Sequence, residues 1–132
     1  MPQPAARQTD QVVGTDIHVV MVPSPGGPVP TPTPHPFVGT LQSQCSTDVL
    51  INGMGAAVQG SVARLTSPHL PIGGPSFLRP PTGQGTVMMG SPTVLVNGKP
   101  LARLGDQVMT CNDPADAPTS AIAAGSPNVV VA

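Results

Sequence analysis

Three histidines and two cysteines are the nitrogen- and sulfur-donor side chains of this sequence that suit a metal: His18, His35, His69, Cys45 and Cys111. Imidazole and thiolate are what a structural zinc takes, four at a time in a closed tetrahedron. Their placement follows a recurring apolar-Ala-Arg pattern. His18 lies eleven residues after Arg7, His69 five after Arg64, and Cys111 eight after Arg103. Each such segment thus offers one imidazole or thiol in the stretch that follows it. His35 sits elsewhere, inside "PTPTPHPF" at 31–38. Proline fixes φ and has no N–H, so this run reads as a stiff, polyproline-like arm that cannot be a central strand. Stiffness lowers the cost of ordering the imidazole it presents. Cys45 precedes the apolar run Val49-Leu50-Ile51 and reads as a small buried residue outside any metal shell. Two other arrangements stay open on residue types alone: a small zinc hydrolase with water as fourth ligand, and a Cys45–Cys111 disulfide in a secreted binding module. No Ser-His-Asp group, carboxylate pair or lysine-bearing P-loop accompanies them, so no enzyme is expected.

The elements that must position these residues are short. The chain has 132 residues, enough for one domain, and its 19 Pro and 15 Gly punctuate it into brief segments. Asn52-Gly53 and Asn97-Gly98 each follow a Val-Leu pair and predict tight hairpins. No segment reads as a long amphipathic helix, so the fold class is all-β. With two aromatics, Phe37 and Phe77, the core is thin and calls for a staple: disulfide, metal or oligomer. Charged residues make up 8% of the chain, against about 25% in an ordinary soluble domain. So little charge implies surface hidden in an assembly. A formal net charge of -1 gives no basic patch for nucleic acid. No secretory leader precedes the first charges, which places synthesis in a reducing cytoplasm and favours free thiols.

Three segments share the pattern: "PAARQTD" at 4–10, "SVARLTS" at 61–67 and "PLARLGD" at 100–106. The strand-and-turn element also recurs, as "TDVLINGMGAAV" at 47–58, "PTVLVNGKPLAR" at 92–103 and "PNVVVA" at 127–132. Three repeats in one chain predict pseudo-threefold symmetry. The interval Arg7 to Arg64 exceeds Arg64 to Arg103 by 57 − 39 = 18 residues. The proline-rich segment 23–40 has that length and reads as an insertion in the first repeat.

The literal Pro4-Ala5-Ala6-Arg7, its later copies and the "GSPNVVV" close resemble the proline-alanine-alanine-arginine (PAAR) repeat proteins, over nearly the whole chain. Those proteins form the pointed tips of contractile injection machines: type VI secretion systems, phage-like tails and extracellular contractile particles. The resemblance implies a small cone of β-strands, spanning 1–132 without a toxin extension, whose base docks on a trimeric β-helical spike, one tip per trimer. It implies an apex tied by one zinc, commonly through three histidines and one cysteine: here His18, His35, His69 and Cys111. It also implies a structural role in piercing a target membrane, carriage of effector cargo, and delivery outside the cell or into the target. Arg7, Arg64 and Arg103 are then expected to tie loops rather than catalyse.

Overall fold

The computed structural model describes residues 2–131. In chain order the strands are β1 (Gln3–Pro4), β2 (Gln11–Val22), β3 (Val29–Ser43), β4 (Leu50–Ile51), β5 (Met54–Gly55), β6 (Val62–Leu65), β7 (Ser76–Phe77), β8 (Gln84–Val87), β9 (Leu95–Val96), β10 (Lys99–Pro100), β11 (Gln107–Thr110), β12 (Ala117–Ile122) and β13 (Val130–Val131). Among the described residues there is no helix, and the fold is all-β. Six strands close on themselves in the order β12-β11-β8-β6-β3-β2, with β12 pairing back onto β2, and β7 adds to β2 outside the circle. Every pairing is antiparallel. Closure removes the free edges within the six-strand circle, while β3 before Gly39, beyond its pairing with β6, keeps one.

The predicted threefold repetition is present in the backbone. Ala6 N–H donates to the Ala102 carbonyl at 2.9 Å, Ala102 N–H to the Ala57 carbonyl at 2.9 Å, and Ala57 N–H to the Ala6 carbonyl at 3.0 Å. This ring of three bonds fixes the repeats as 4–10, 55–61 and 100–106. The second copy is therefore "GAAVQGS", and not the "SVARLTS" expected at 61–67. The turn after each Ala-Ala or Leu-Ala pair is the same. Thr9, Gly60 and Gly105 take φ of 79°, 97° and 90°. The side chain one residue further on accepts from the backbone N–H three residues back: Asp10 from Arg7 at 2.8 Å, Ser61 from Val58 at 2.9 Å, Asp106 from Arg103 at 2.7 Å. Val58 and Ser61 thus stand where the other copies carry Arg and Asp. A pattern keyed on arginine slid six residues to Arg64, which lies exposed on β6 opposite Thr40. With the copies aligned on the ring, their spacings are 51 and 45 residues (6 to 57, 57 to 102), a difference of six rather than eighteen.

The ring separates two cores. On one side, Ala6, Ala57 and Ala102 close the barrel over Val12, Phe37, Leu41, Ala63, Val87, Val108 and Ile122. Strands cross closely there: at Gly39 a Cβ would meet the Arg64 carbonyl at 2.4 Å, so a larger residue would push β3 and β6 apart. On the other side, Ala5, Ile51, Ala56, Val58, Val96 and Leu101 pack beneath three two-stranded units: β1 with β13, β4 with β5, and β9 with β10. Both predicted Asn-Gly turns form, with Asn52, Gly53, Asn97 and Gly98 all at positive φ. Ser46, Ser91 and Ser126 lead into the three units alike, each Oγ accepting from the N–H three residues on, at 2.9, 3.0 and 3.0 Å.

The proline run is a strand, contrary to the free polyproline-like arm expected. β3 pairs with β2 along twelve residues, from Gln11↔Thr40 to Val22↔Val29. Alternation makes this possible. Leu41 N–H bonds toward β2, at Asp10, whereas the Val38 carbonyl faces β6, at Thr66. Odd-numbered residues of β3 therefore direct their backbone groups to β2. Pro30, Pro32, Pro34 and Pro36 point their missing N–H to the opposite edge, which is where proline is tolerated in a sheet. Their side chains lie exposed while His35 and Phe37 are buried.

Candidate metal centre

The histidines and Cys111 gather at the end of the barrel away from the ring. Asp16 and His18 lie on β2 beyond its pairing with β12, which stops at Gly14. His35 lies on β3 before its pairing with β6 begins at Gly39. His69 comes from the loop after β6, and Cys111 directly follows β11. The ring-based alignment also regularises the spacing: His18 and His69 are each eight residues past the turn residue of their repeat, Asp10 and Ser61.

All four expected donors meet in one region. Ring centroids are 4.9 Å apart for His18 and His69, and 5.6 Å from His35 to each of the other two. Cys111 Sγ is 3.7 Å from His18 Nε2. One neighbour was not foreseen. Asp16, wholly buried, places Oδ2 3.0 Å from His69 Nε2, 3.4 Å from Cys111 Sγ and 3.9 Å from His18 Nε2. The ligand atoms of Asp16, His18, His69 and Cys111 lie within 4.8 Å of one another, and His35 stands beside that group. Asp-x-His on a strand, Asp16 and His18 two residues apart, was the signal available, since period two puts both on one face. Cys45 is elsewhere, half-buried against the barrel core, and both cysteines are free thiols.

The surroundings fit a metal. His35 Nδ1 is 2.8 Å from the Thr33 carbonyl, which assigns the proton to Nδ1 and leaves a lone pair on Nε2. That Nε2 is buried with no hydrogen-bond partner, as is His18 Nδ1. An orphaned imidazole nitrogen beside two further imidazoles, a thiol and a carboxylate suits zinc in donor type, with five donors at hand for its four positions. Burial, with the other histidines, holds the His18 imidazole below its ordinary pKa of 6.5. Burial and then Asp16 push the Cys111 thiol up to about 11.

A scaffold of polar side chains fixes the cluster. Asn112 Oδ1 accepts from Ile17 N–H at 2.6 Å and Asp113 Oδ2 from Val19 N–H at 2.9 Å, so the residues after Cys111 continue the ladder along β2. Arg79 clamps that segment, giving Nη2 to Asp113 Oδ1 at 2.7 Å and to the Asn112 carbonyl at 3.0 Å. Burial would raise the Asp113 pKa, but the Val19 N–H and the Arg79 guanidinium outweigh it and hold it below 3.8. Phe77 closes the apolar wall, 5.3 Å from the His35 ring and 5.8 Å from His18.

The fold is thus a closed, three-repeat β-barrel that carries a buried His/Cys/Asp cluster, a candidate metal site, at one end. The family model for the PAAR motif matches residues 79–132, a segment holding the third repeat, Cys111 and the closing strand. Over that segment the chain is similar to PAAR-motif proteins. No curated protein matches its sequence. Among the described residues, no helix is long and apolar enough to cross a membrane.

Proposed function

We propose that residues 1–132 form a single tip domain that caps the central spike of a contractile injection system, one copy per spike trimer, and sharpens it for entry into a target membrane. The observation that carries this reading is the ring through Ala6, Ala57 and Ala102. It gives one chain a threefold base without trimerisation. Around it, Leu50, Leu95 and Val130 occupy matched positions on the three two-stranded units and are 60%, 62% and 59% exposed. An apolar base of this symmetry suits the end of a trimer.

In the same reading one structural zinc ties the other end of the barrel. His18, His69 and Cys111 are donors, and the fourth position falls on the β2–β3 pair, where His35, the donor expected from sequence, faces Asp16 in the register. When bound, the ion would link β2, the loop after β6 and the segment after β11, adding folding free energy to a thin core. The role is mechanical, with no turnover. Assembly into the particle and delivery with it, together with any effector cargo, follow from the tip position.

Native mass spectrometry of the tip with a trimeric spike protein, beside metal analysis of the purified tip, tests this. One tip per trimer is expected, lost on Leu95→Glu. Three tips per trimer, or none, would sink the proposal.

A further inference from the structure

One edge of β3 has no strand partner before Gly39, where its pairing with β6 begins. Even-numbered residues of β3 turn their backbone groups to that edge, away from β2. From Pro30 to Pro36 it therefore carries the carbonyl oxygens of Pro30, Pro32, Pro34 and Pro36 and no N–H at all. The carbonyls recur about every 6.7 Å, two residues of strand. Where each N–H would stand there is the Cδ of a proline ring. The rings lie exposed, opposite Met21, Val19, Ile17 and Thr15 of β2 in that order. The edge alternates apolar ring and bare acceptor.

Electrostatics and shape limit what such an edge accepts. Carbonyl oxygens are the negative ends of dipoles, so the occupant must bring N–H or O–H donors. A second copy of this edge brings only acceptors. A partner strand meets Cδ atoms where its own carbonyls need N–H groups, and cannot close to ladder distance. Lipid tails would leave four carbonyls without a donor. A cationic side chain would find dipoles and no counter-charge, since neither 17–40 nor the neighbouring 65–78 contains Asp, Glu, Lys or Arg. Among uncharged donors, those with a flat apolar body to lie on proline rings are the indole of Trp and the phenol of Tyr. The chain has neither, so it cannot fill the edge from within. At the inner end of the row, Pro36, Val38, Pro68, Leu70 and Ile72 form the apolar lining of an open groove of about 390 Å³, a size in which ring systems bind.

We propose that the proline edge of β3 is a docking surface for a second protein, engaged through tryptophan or tyrosine side chains. Their rings lie on Pro30, Pro32, Pro34 and Pro36, and their N–H or O–H groups turn to the carbonyls. Extended proline-rich segments dock in aromatic-lined grooves by the same complementarity. Here the prolines recur every second residue because they sit in a strand. The inference does not depend on the spike reading, whose contact lies at the ring end.

The test uses the full chain, which has no Trp or Tyr, so every change in indole emission belongs to the probe. The probe is the peptide Ser-Trp-Ser-Trp-Ser-Trp-Ser, its indoles spaced to match the prolines. Saturable binding is expected, weakened by more than about tenfold when each Trp is replaced by 1-methyltryptophan, which keeps the ring and loses the N–H. Versions with Leu or Arg in place of Trp are expected to displace it poorly. With proline labelled by carbon-13, the carbonyl resonances of Pro30, Pro32, Pro34 and Pro36 are expected to shift downfield on adding the Trp peptide, a readout that needs no variant. Equal binding of the methylated or Leu peptide overturns the proposal, as does absence of saturable binding. Stronger displacement by the Arg peptide or by phosphatidylcholine vesicles assigns the edge to a cation or to lipid and overturns it too. So do carbonyl shifts confined to other prolines.

Discussion

The Asp106 carboxylate holds both ends of Arg103: it accepts from the backbone N–H at 2.7 Å and from the guanidinium at 3.1 and 2.9 Å. Arg7 and Asp10 repeat the arrangement at 2.8, 3.1 and 2.9 Å. In the second repeat a single bond from Val58 N–H to Ser61 Oγ, 2.9 Å, stands in its place. The three turns thus do one job with unequal strength, since bonds involving charge are worth more than neutral ones. Asp106→Ala is expected to cost about 2 kcal/mol and Ser61→Ala about 1 kcal/mol. Urea unfolding of the two variants reads the difference directly, and equal losses would contradict it.

Metal removal is expected to lower the melting temperature sharply, because structural zinc in peptides is worth roughly 10–16 kcal/mol and this barrel has few large side chains to replace it. Cys111→Ser should melt like the chelated parent and gain nothing from added zinc. Cys45→Ser, at a half-buried position away from the cluster, should keep its metal and lose no more than about 1 kcal/mol. Thermal melts with and without chelator check all three.

The zinc-free protein is expected to have a bounded plateau of stability with pH. His18 has its pKa lowered from 6.5 by burial and the neighbouring histidines. Below about pH 6.5 the unfolded chain therefore takes up a proton that the folded one resists, and stability falls as pH falls. Cys111 is shifted the other way, from 9.0 to about 11. Its contribution is complete below pH 9 and is lost as pH rises toward 11, because the unfolded thiol ionises first. Denaturation midpoints of chelated protein across this range should be highest between the two limits. A midpoint that rises steadily above pH 9 would contradict the assignment.

The proline-lined edge of β3 is expected to keep the protein from pairing with itself. Pro32→Val with Pro34→Val restores two N–H groups to an edge that carries none there. The double variant should associate at concentrations where the parent is monomeric, with little change in melting temperature. Light scattering after size exclusion measures this; a monomeric variant would show that the prolines serve another purpose.

Much of this was legible in the residues. Asn52-Gly53 and Asn97-Gly98 announced their turns because two positive-φ positions leave few alternatives. The first and third repeats were visible because Arg7 with Asp10 and Arg103 with Asp106 kept their chemistry. The second was missed because its turn works through backbone φ at Gly60 and a serine hydroxyl, which many sequences could supply. The proline run misled because proline's veto on β-structure applies to one edge, and which edge a residue faces is set by partners far along the chain. Asp16 was passed over for a related reason. A carboxylate is a common surface residue, and nothing local shows that Thr110, Asn112 and Thr119 arrive from about a hundred residues away to bury it.

The ring at Ala6, Ala57 and Ala102 also sets the order of events when the chain is made. Ala6 N–H finds its acceptor in Ala102, and β1 finds its partner in β13, both near the far end of the sequence. The first of the three repeats to be synthesised is therefore among the last to be satisfied. Structure rich in such distant pairings forms slowly, because the intervening chain must be brought together before any contact rewards it. Until then the first alanine pair, the β2–β3 hairpin and its histidines are an open fragment, and the barrel's threefold character has no physical existence. Symmetry here arrives at once, with the closing strand, and a chain lacking its third repeat has no ring to present.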